Sequence, residues 1–400
     1  MTRFNATFAA TLAALALALA GCSRDTEESA VASAPAAEPA ATAPTPIPPP
    51  PELKARSYVV IDHDSGRVLA ALDPDSRQEP ASLTKVMTAY GVFRALKEGR
   101  IKLDDMVTIS EHAWKQEGSR MFVEVGKQVS VENLIQGMIV QSGNDATVAL
   151  AEHVGGTEAT FVQMMNTYAK ELGMTGSRYT NSAGMPDPEH YTTARDSAIL
   201  SSALIREFPE YYRWYAQKEF TWNGITQQNR NGLLWREPSV DGVKTGHTET
   251  AGYCLIASAK REGMRLVSAV LGTESMRARE DANMALLNYG FNFFETRRLY
   301  AAGEPLTTAR VWKGASPQVG LALKRDLYVT GQRGHVGSVQ AEFELPERLV
   351  APLSAQAPIG KVRIVVDGAT IATHELFPAA DVPAGGWFRR AGDTVRLWFD

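Results

Sequence analysis

Cysteine is almost missing from this 400-residue chain: only Cys22 and Cys254 occur, which excludes a fold stapled by a disulfide framework. Charge of one sign is missing too. Forty-one basic residues face 45 acidic ones, a net charge of −4, so there is no basic field of the kind that nucleic acid requires. The seven histidines (63, 112, 153, 190, 247, 335 and 374) are scattered and form no HExxH pair, which leaves a zinc peptidase poorly supported. The longest apolar run, near the N-terminus, is too short and too Ala-rich for a comfortable membrane span. Hydrophobic content is ordinary at 44%. The length suffices for two or more domains with sizeable cores.

The first residues are not read as fold. Met1-Thr2-Arg3 is followed by an uncharged Ala/Leu-rich run ending LALAGC. This is similar to a secretory signal peptide, and Leu19-Ala20-Gly21-Cys22 resembles the bacterial lipobox. That resemblance implies a lipoprotein-type signal over 1–22, with Cys22 lipidated as the mature N-terminus. Ser23 follows, rather than the Asp that typically retains such proteins in the inner membrane. Inner or outer membrane is left open. Residues 23–52 are rich in Ala and Pro, with eight prolines between Pro35 and Pro51. Such a segment builds no core and favours extended polyproline II. At ~3.1 Å per residue it reaches roughly 90 Å from a membrane. Cys254, in the apolar run YCLIASA, reads as a small core residue.

From 53 to 298 the pattern predicts one domain. SYVVIDHDSGRVLAALDPD reads as two strands around Asp64-Ser65-Gly66, and a helix is expected to begin near Ser82. Residues 105–215 read as mainly helical, with Ser130 as an N-cap before an apolar periodic run. Strands return in DGVKTG, AGYCLIASAK and MRLVSAVLG, and REDANMALLNYGFNFFET closes the domain as a helix. One sheet assembled from both sequence ends, with helices packed on it, explains that order. Residues 299–384 are short, Val-rich and turn-bounded, with Asp367-Gly368 as a hairpin turn, and read as a small all-β domain. In 385–400, Trp387, Phe388, Ala391, Val395 and Trp398 fall on one face of a short amphipathic helix near three arginines. That face suits either a membrane interface or docking on the β-domain.

The chemistry starts in ASLTKVMTAY, where Ser82 and Lys85 stand three apart, about one helical turn. A serine hydroxyl becomes a nucleophile when a neighbouring base takes its proton. Lysine serves as that base when burial and nearby positive charge favour its neutral form. Alone, the pair is a poor signal and reads first as an N-cap with a surface lysine nearby. Two further motifs change the balance. Ser142-Gly143-Asn144 lies in IVQSGNDATVALAEHVGG, at a turn entering an apolar helix. Here Ser142 is the candidate proton shuttle, and Asn144 orients Lys85 or holds a substrate amide. Lys244-Thr245-Gly246 lies in VDGVKTGHTETAGY. Lys244 supplies positive charge, Thr245 binds a carboxylate, and Gly246 lets substrate lie against the strand.

These three motifs, in this order and setting, resemble those of penicillin-binding proteins and class A β-lactamases. The resemblance extends through PASLTKVMTAY, QSGNDATVALAE, NRNGLLW, VDGVKTGHTETAGY and NYGFNFFET to the low-molecular-mass penicillin-binding proteins that act as serine-type D-alanyl-D-alanine carboxypeptidases. It covers about residues 55–390. It implies an α/β penicillin-binding (serine β-lactamase-like) domain with an all-α lobe, followed by a small all-β domain. It implies Ser82 as nucleophile, Lys85 as base, and Ser142 and Asn144 as the second motif, with Lys244, Thr245 and Gly246 as the third. It places oxyanion donors at the backbone N–H groups of Ser82 and His247, and Arg279 near the substrate's terminal carboxylate. The plain alternative for Arg279 is a surface arginine pairing Glu280 or Asp281. The implied partners are peptidoglycan stem peptides and β-lactam antibiotics; the lipobox adds membrane attachment through the Cys22 lipid, with the C-terminal tail as a second contact if its apolar face meets the membrane rather than the β-domain. No metal, cofactor or nucleic acid is implied, and the implied location is the periplasmic face of the cell envelope. The chain departs from the family in its lipobox, its Pro-rich tether and its short tail, so anchorage is expected at the N-terminus. A β-lactamase, a D,D-endopeptidase and a non-enzymatic wall-binding scaffold are the rival readings. No Glu-x-x-Leu-Asn stretch follows the second motif, which speaks against the first.

Overall fold

The computed structural model describes residues 46–335, 337 and 339–398. Cys22, the lipobox and most of the Pro-rich tether lie outside the described residues. The chain divides into two compact units. One holds Pro48–Arg297 with Tyr328–Gly334, and the other holds Arg298–Leu327 and the chain from His335 onward.

The first unit opens with the strands β1 (Ser57–Asp62) and β2 (Val68–Leu72). Asp62 Oδ1 accepts from the Ser65 backbone N–H at 2.7 Å and fixes the turn between them. A 3₁₀ turn over Ala81–Thr84 then leads into α1 (Lys85–Lys97). The expected helix therefore begins three residues after Ser82, and Ser82 sits inside the tight turn rather than at a helix cap. Helices α2 (Val131–Val140), α3 (Asn144–Gly155), α4 (Glu158–Glu171) and α5 (Ala194–Glu207) build the helical middle. Ser130, Thr157 and Thr193 cap α2, α4 and α5 by accepting from Asn133, Thr160 and Asp196 backbone N–H groups, each cap worth ~1 kcal/mol. Their apolar faces meet around Leu134, Ile135, Met138, Phe161 and Met165, all fully buried. Two short antiparallel pairs, Met106–Thr108 with Gln128–Ser130 and Glu219–Trp222 with Ile225–Gln228, sit around this lobe.

The strands β3 (Val240–Thr248), β4 (Gly252–Arg261) and β5 (Met264–Thr273) follow, then α6 (Met276–Phe293). The sheet order is β2-β1-β5-β4-β3, antiparallel throughout. Ser57 of β1 pairs with Leu271 of β5, so one sheet does join the two ends of the domain. Helices α5 and α6 both pack on β5, which is why β1, β4 and β5 are near-continuous apolar runs rather than alternating ones. β3 is left at the sheet edge.

The second unit carries β6 (Pro305–Trp312), β7 (Gln318–Ala322), β8 (Val339–Glu344), β9 (Leu349–Val350), β10 (Gly360–Val366) and β11 (Ala369–Pro378). They form one sheet in the order β8-β10-β11-β7-β6-β9. Asp367 and Gly368 both take positive φ, +49° and +83°, while Val366 pairs with Ala369. This is the two-residue hairpin expected of Asp-Gly. The tail forms α7 (Trp387–Arg396). Asp393 Oδ2 accepts from the Lys313 backbone N–H at 2.7 Å and ties the helix down. Trp387, Phe388, Val395 and Trp398 remain exposed. Among the described residues no helix is long and apolar enough to cross a membrane.

Candidate active site

Ser82 lies half-buried on the 3₁₀ turn, whose first residue, Ala81, takes φ +48°. One turn on, Lys85 is 1% exposed. Its Nζ stands 3.0 Å from Ser82 Oγ, 2.7 Å from Asn144 Oδ1 and 2.6 Å from the Ala183 carbonyl oxygen. An ammonium would donate to all three. A neutral amine has two N–H groups for the two shorter contacts and leaves its lone pair facing the Ser82 hydroxyl. Burial pushes Lys85 down to about 7; Arg230 adds to that and Asp145 opposes it. The site therefore populates the form that accepts a proton.

Asn144 opens α3, and each end of its amide is engaged. Oδ1 takes Lys85, and Nδ2 donates to the Glu117 carbonyl at 2.6 Å. Ser142, two residues earlier, is 2% exposed with φ +66°. Its Oγ accepts from Lys244 Nζ at 2.9 Å, so the lysine bonded to Ser142 is Lys244. Burial pushes Lys244 well below its ordinary range, and Lys85, Arg230 and Arg279 push the same way.

The strand β3 carries Lys244, Thr245, Gly246 and His247. Being the sheet's edge strand, it presents one row of backbone groups away from β4. Gly246 is the point of contact with the serine turn. A Cβ there would lie 2.8 Å from the Pro80 carbonyl oxygen and 3.2 Å from Leu83 Cγ. The NRNGLLW segment props the strand, because Asn231 Nδ2 donates to the Gly242 carbonyl at 3.0 Å. His247 is exposed at the rim, its ring centroid 4.0 Å from that of Tyr253. Arg279, on α6, is 3% exposed. Its NH1 donates to the Gly246 and Cys254 carbonyls (3.2 and 3.4 Å), and its NH2 to the Arg230 carbonyl (3.4 Å). Glu280 and Asp281, the partners a surface arginine would take, are bonded by Arg236 instead. The buried Nε of Arg279 has no hydrogen-bond partner among the described residues.

The structure thus gathers Ser82, Lys85, Ser142, Asn144, Lys244, Thr245, Gly246 and Arg279 around one edge, with His247 at its rim. It also adds groups that the sequence did not single out. The Ala183 carbonyl comes from the segment NSAGMPDP, whose Gly and Pro content marks a turn. That segment is held by Asn181 Oδ1, which accepts from Gly184 and Met185 N–H groups. His190 is 2% exposed, and burial pushes it down to about 4. Its Nδ1 accepts from the Thr180 N–H at 3.1 Å, so Nε2 carries the proton and donates to Thr84 Oγ1 at 2.8 Å. Arg230, within NRNGLLW, is a further such group; its charge bears on both lysines. Among the described residues no group of three or more His, Cys, Asp or Glu side chains could hold a metal ion. Cys254 is buried and unpaired in β4.

A serine on a tight turn, a buried lysine one turn away and an edge strand beside both, on a five-stranded sheet with a helical lobe, define the penicillin-binding class of serine enzymes. Residues 42–275 match the D-alanyl-D-alanine carboxypeptidase family, and the chain belongs to that family. Residues 294–384 match the C-terminal domain of penicillin-binding protein 5. The chain is 45% identical over 354 residues to D-alanyl-D-alanine carboxypeptidase DacA of Haemophilus influenzae, covering 87% of this chain and 90% of that protein. Penicillin-binding protein 5 from Haemophilus influenzae is similar in structure, with a TM-score of 0.76 and 46% identity over 84% of this chain and 99% of that one. Penicillin-binding protein D2 from Listeria monocytogenes in its ampicillin-bound form matches 61% of this chain and all of its own length, at 29% identity and a TM-score of 0.57.

Proposed function

We propose that this protein is a serine-type D-Ala-D-Ala carboxypeptidase that removes the terminal D-alanine from peptidoglycan stem pentapeptides and is acylated by β-lactams. The observation that carries this reading is Lys85 Nζ, buried, pushed down to about 7 and 3.0 Å from Ser82 Oγ. Lys85 takes the Ser82 proton as Oγ attacks the carbonyl between the two D-alanines. The backbone N–H groups of Ser82 and His247 receive the tetrahedral oxygen. Ser142, bonded to Lys244, relays a proton to the departing D-alanine. Water then resolves the acyl-enzyme. Substrate lies along the outer edge of β3 as an added strand, with Asn144 holding its amide and its terminal carboxylate at Lys244, Thr245 and Arg279. A docked carboxylate favours the charged form of Lys244. The protein acts at the periplasmic face of the envelope, anchored through the Cys22 lipid. The exposed Trp387, Phe388, Val395 and Trp398 on α7 suit an additional interfacial contact. Release of D-alanine from a pentapeptide, compared with cleavage of a crosslinked dimer, is the direct test; dimer cleavage without D-alanine release would replace this reading with an endopeptidase.

The pH profile follows from Lys85. Below about pH 7 its ammonium form grows and cannot accept the serine proton. Acylation by penicillin is expected to fall about tenfold per pH unit on the acid side, and to level off above pH 7. A stopped-flow profile with its acid limb centred near pH 10, the ordinary lysine range, would remove Lys85 as the base.

The carboxylate contact makes a second measurable difference. Hydrogen bonds to charged groups contribute about 1.5–3 kcal/mol, so Arg279→Ala should lower kcat/KM roughly 10–100-fold on a peptide ending in a free acid. The loss should be much smaller on the same peptide ending in an amide, which lacks the charge. Equal losses on the matched pair, measured on folded variant and wild type, would assign Arg279 to holding the Gly246 and Cys254 carbonyls rather than to the substrate.

A further inference from the structure

We propose that Asp145 is a positioning residue for Lys85, acting through segment 117–123 and Asn144; this rests on the reading of Ser82 and Lys85 given above. Asp145 follows Asn144 in the first turn of α3 and is completely buried. Arg120 Nε is 3.8 Å from it, beyond hydrogen-bond range. Asp145 Oδ1 accepts from the Ala146 N–H of its own helix at 2.9 Å, and the other bonds go to successive backbone N–H groups of a second segment. Oδ1 accepts from Met121 at 2.9 Å, and Oδ2 from Phe122 at 2.9 Å and Val123 at 3.2 Å. Three N–H groups in a row converging on one carboxylate require a bent backbone, and Phe122 takes φ +66°, a region that bulky residues avoid. The Phe122 side chain is 48% exposed, so its own burial does not compensate for that bend. The carboxylate does.

The segment that Asp145 holds is the one that holds Asn144. The Glu117 carbonyl accepts from Asn144 Nδ2 at 2.6 Å, and the Ser119 carbonyl from the Asn144 backbone N–H at 2.7 Å. With those groups fixed, Asn144 Oδ1 is aimed at Lys85 Nζ. Side chain, segment, amide and amine form one chain of contacts, and it ends at Lys85 Nζ, 3.0 Å from Ser82 Oγ. Asp145 also acts through space. Lys85 is faced by Lys244 from β3, Arg230 from the segment before β3, His190 from the segment before α5, and Asp145 from α3. Asp145 brings the negative charge among them and holds Lys85 up against burial and Arg230.

The experiment is acylation of the full chain by penicillin across pH, for wild type, Asp145→Asn and Gly143→Ala. Asp145→Asn keeps the size but removes the charge and one acceptor. Its plateau rate should fall on the order of tenfold or more as Asn144 loosens, and its acid limb should move to lower pH because Lys85 loses its negative neighbour. A wild-type rate and profile overturns the proposal. So does a slower rate with an unmoved acid limb, which is the result of packing damage alone. Gly143→Ala presses on the same joint with the charge intact. The added Cβ would lie 2.9 Å from Asp145 Oδ1 and 3.0 Å from the Met121 nitrogen, while φ −60°, ψ 115° suits alanine. It should slow acylation and leave the acid limb in place. If Asp145→Asn does not fold, this variant decides: slowed acylation at an unchanged Tm supports the proposal, and wild-type acylation, or slowing that comes with a lowered Tm, overturns it. An unlabelled wild type, by contrast, would refute the serine reading itself rather than this step.

Discussion

Ser82→Ala is expected to yield a folded protein that takes up no covalent penicillin and releases D-alanine no faster than background. The argument is one of bonds. The acyl group is carried as an ester on Oγ, and alanine has no oxygen to form it. The hydroxyl is half-buried on a turn whose own backbone does not need it: the turn closes through the Leu83 N–H to the Pro80 carbonyl at 3.1 Å. Removing Oγ therefore costs little stability, and the loss is chemical. Lys85→Arg is the companion variant. A guanidinium stays charged at every accessible pH and cannot serve as base, so acylation should fall by about 10²–10⁴-fold. Gel labelling with a fluorescent penicillin, beside a thermal melt, reads both. A labelled Ser82→Ala protein with a wild-type melting curve would remove Ser82 as the nucleophile.

Gly184→Ala should be nearly as damaging, although Gly184 carries no chemistry. Gly184 takes φ +85°, and a Cβ placed on it would lie 1.8 Å from the Ala81 carbonyl oxygen and 2.9 Å from Thr84 Oγ1. Both belong to the turn that carries Ser82. Backbone must move, either the serine turn or the 181–185 segment, and the Ala183 carbonyl on Lys85 moves with the latter. Overpacking of this kind costs about 1–3 kcal/mol, and the positive φ adds strain for alanine. A displacement of about 1 Å at a reacting group costs on the order of 10² in rate. The expected result is a lowered Tm together with at least a hundredfold slower acylation. Unchanged labelling kinetics would mean that the serine turn tolerates the shift.

Much of this arrangement is legible in the sequence. Three short motifs fell on a helix start, a helix-lobe turn and a strand, and the structure puts all three at one place. The strand pattern 57–72 and 240–273 implied one sheet from both ends, because apolar runs of strand length flank a helical middle. What stayed hidden has a common physical cause. The Ala183 carbonyl that holds Lys85 is a backbone group, and every residue has one. Gly184 reads as ordinary turn glycine; only its distance to Ala81 makes it indispensable. Asp145 reads as an acidic residue in the first turn of a helix, favoured there by the helix dipole. Its bonds to Met121, Phe122 and Val123 reach back more than twenty positions, and no local pattern records them. The α-helix starts three residues after Ser82, where the apolar spacing alone does not place it, because the Leu83, Val86, Met87 and Tyr90 periodicity is shared by a 3₁₀ turn and the α-helix that continues it.

The pairing of Ser57 with Leu271 bears on how the molecule is made. Synthesis delivers β1, β2 and the serine turn first, and β3, β4 and β5 last. Until Thr273 has emerged, β1 can pair only with β2. Lys244 and the strand that presses on the turn at Gly246 are added near the end of the domain. A nascent chain therefore carries Ser82 on a turn with no strand beside it and no second lysine. Sheet closure over so long a loop is slow and is postponed until the domain is complete. The surroundings proposed for Ser82 are consequently assembled only once Thr273 has been delivered, and a chain truncated before β5 is expected to take up no penicillin.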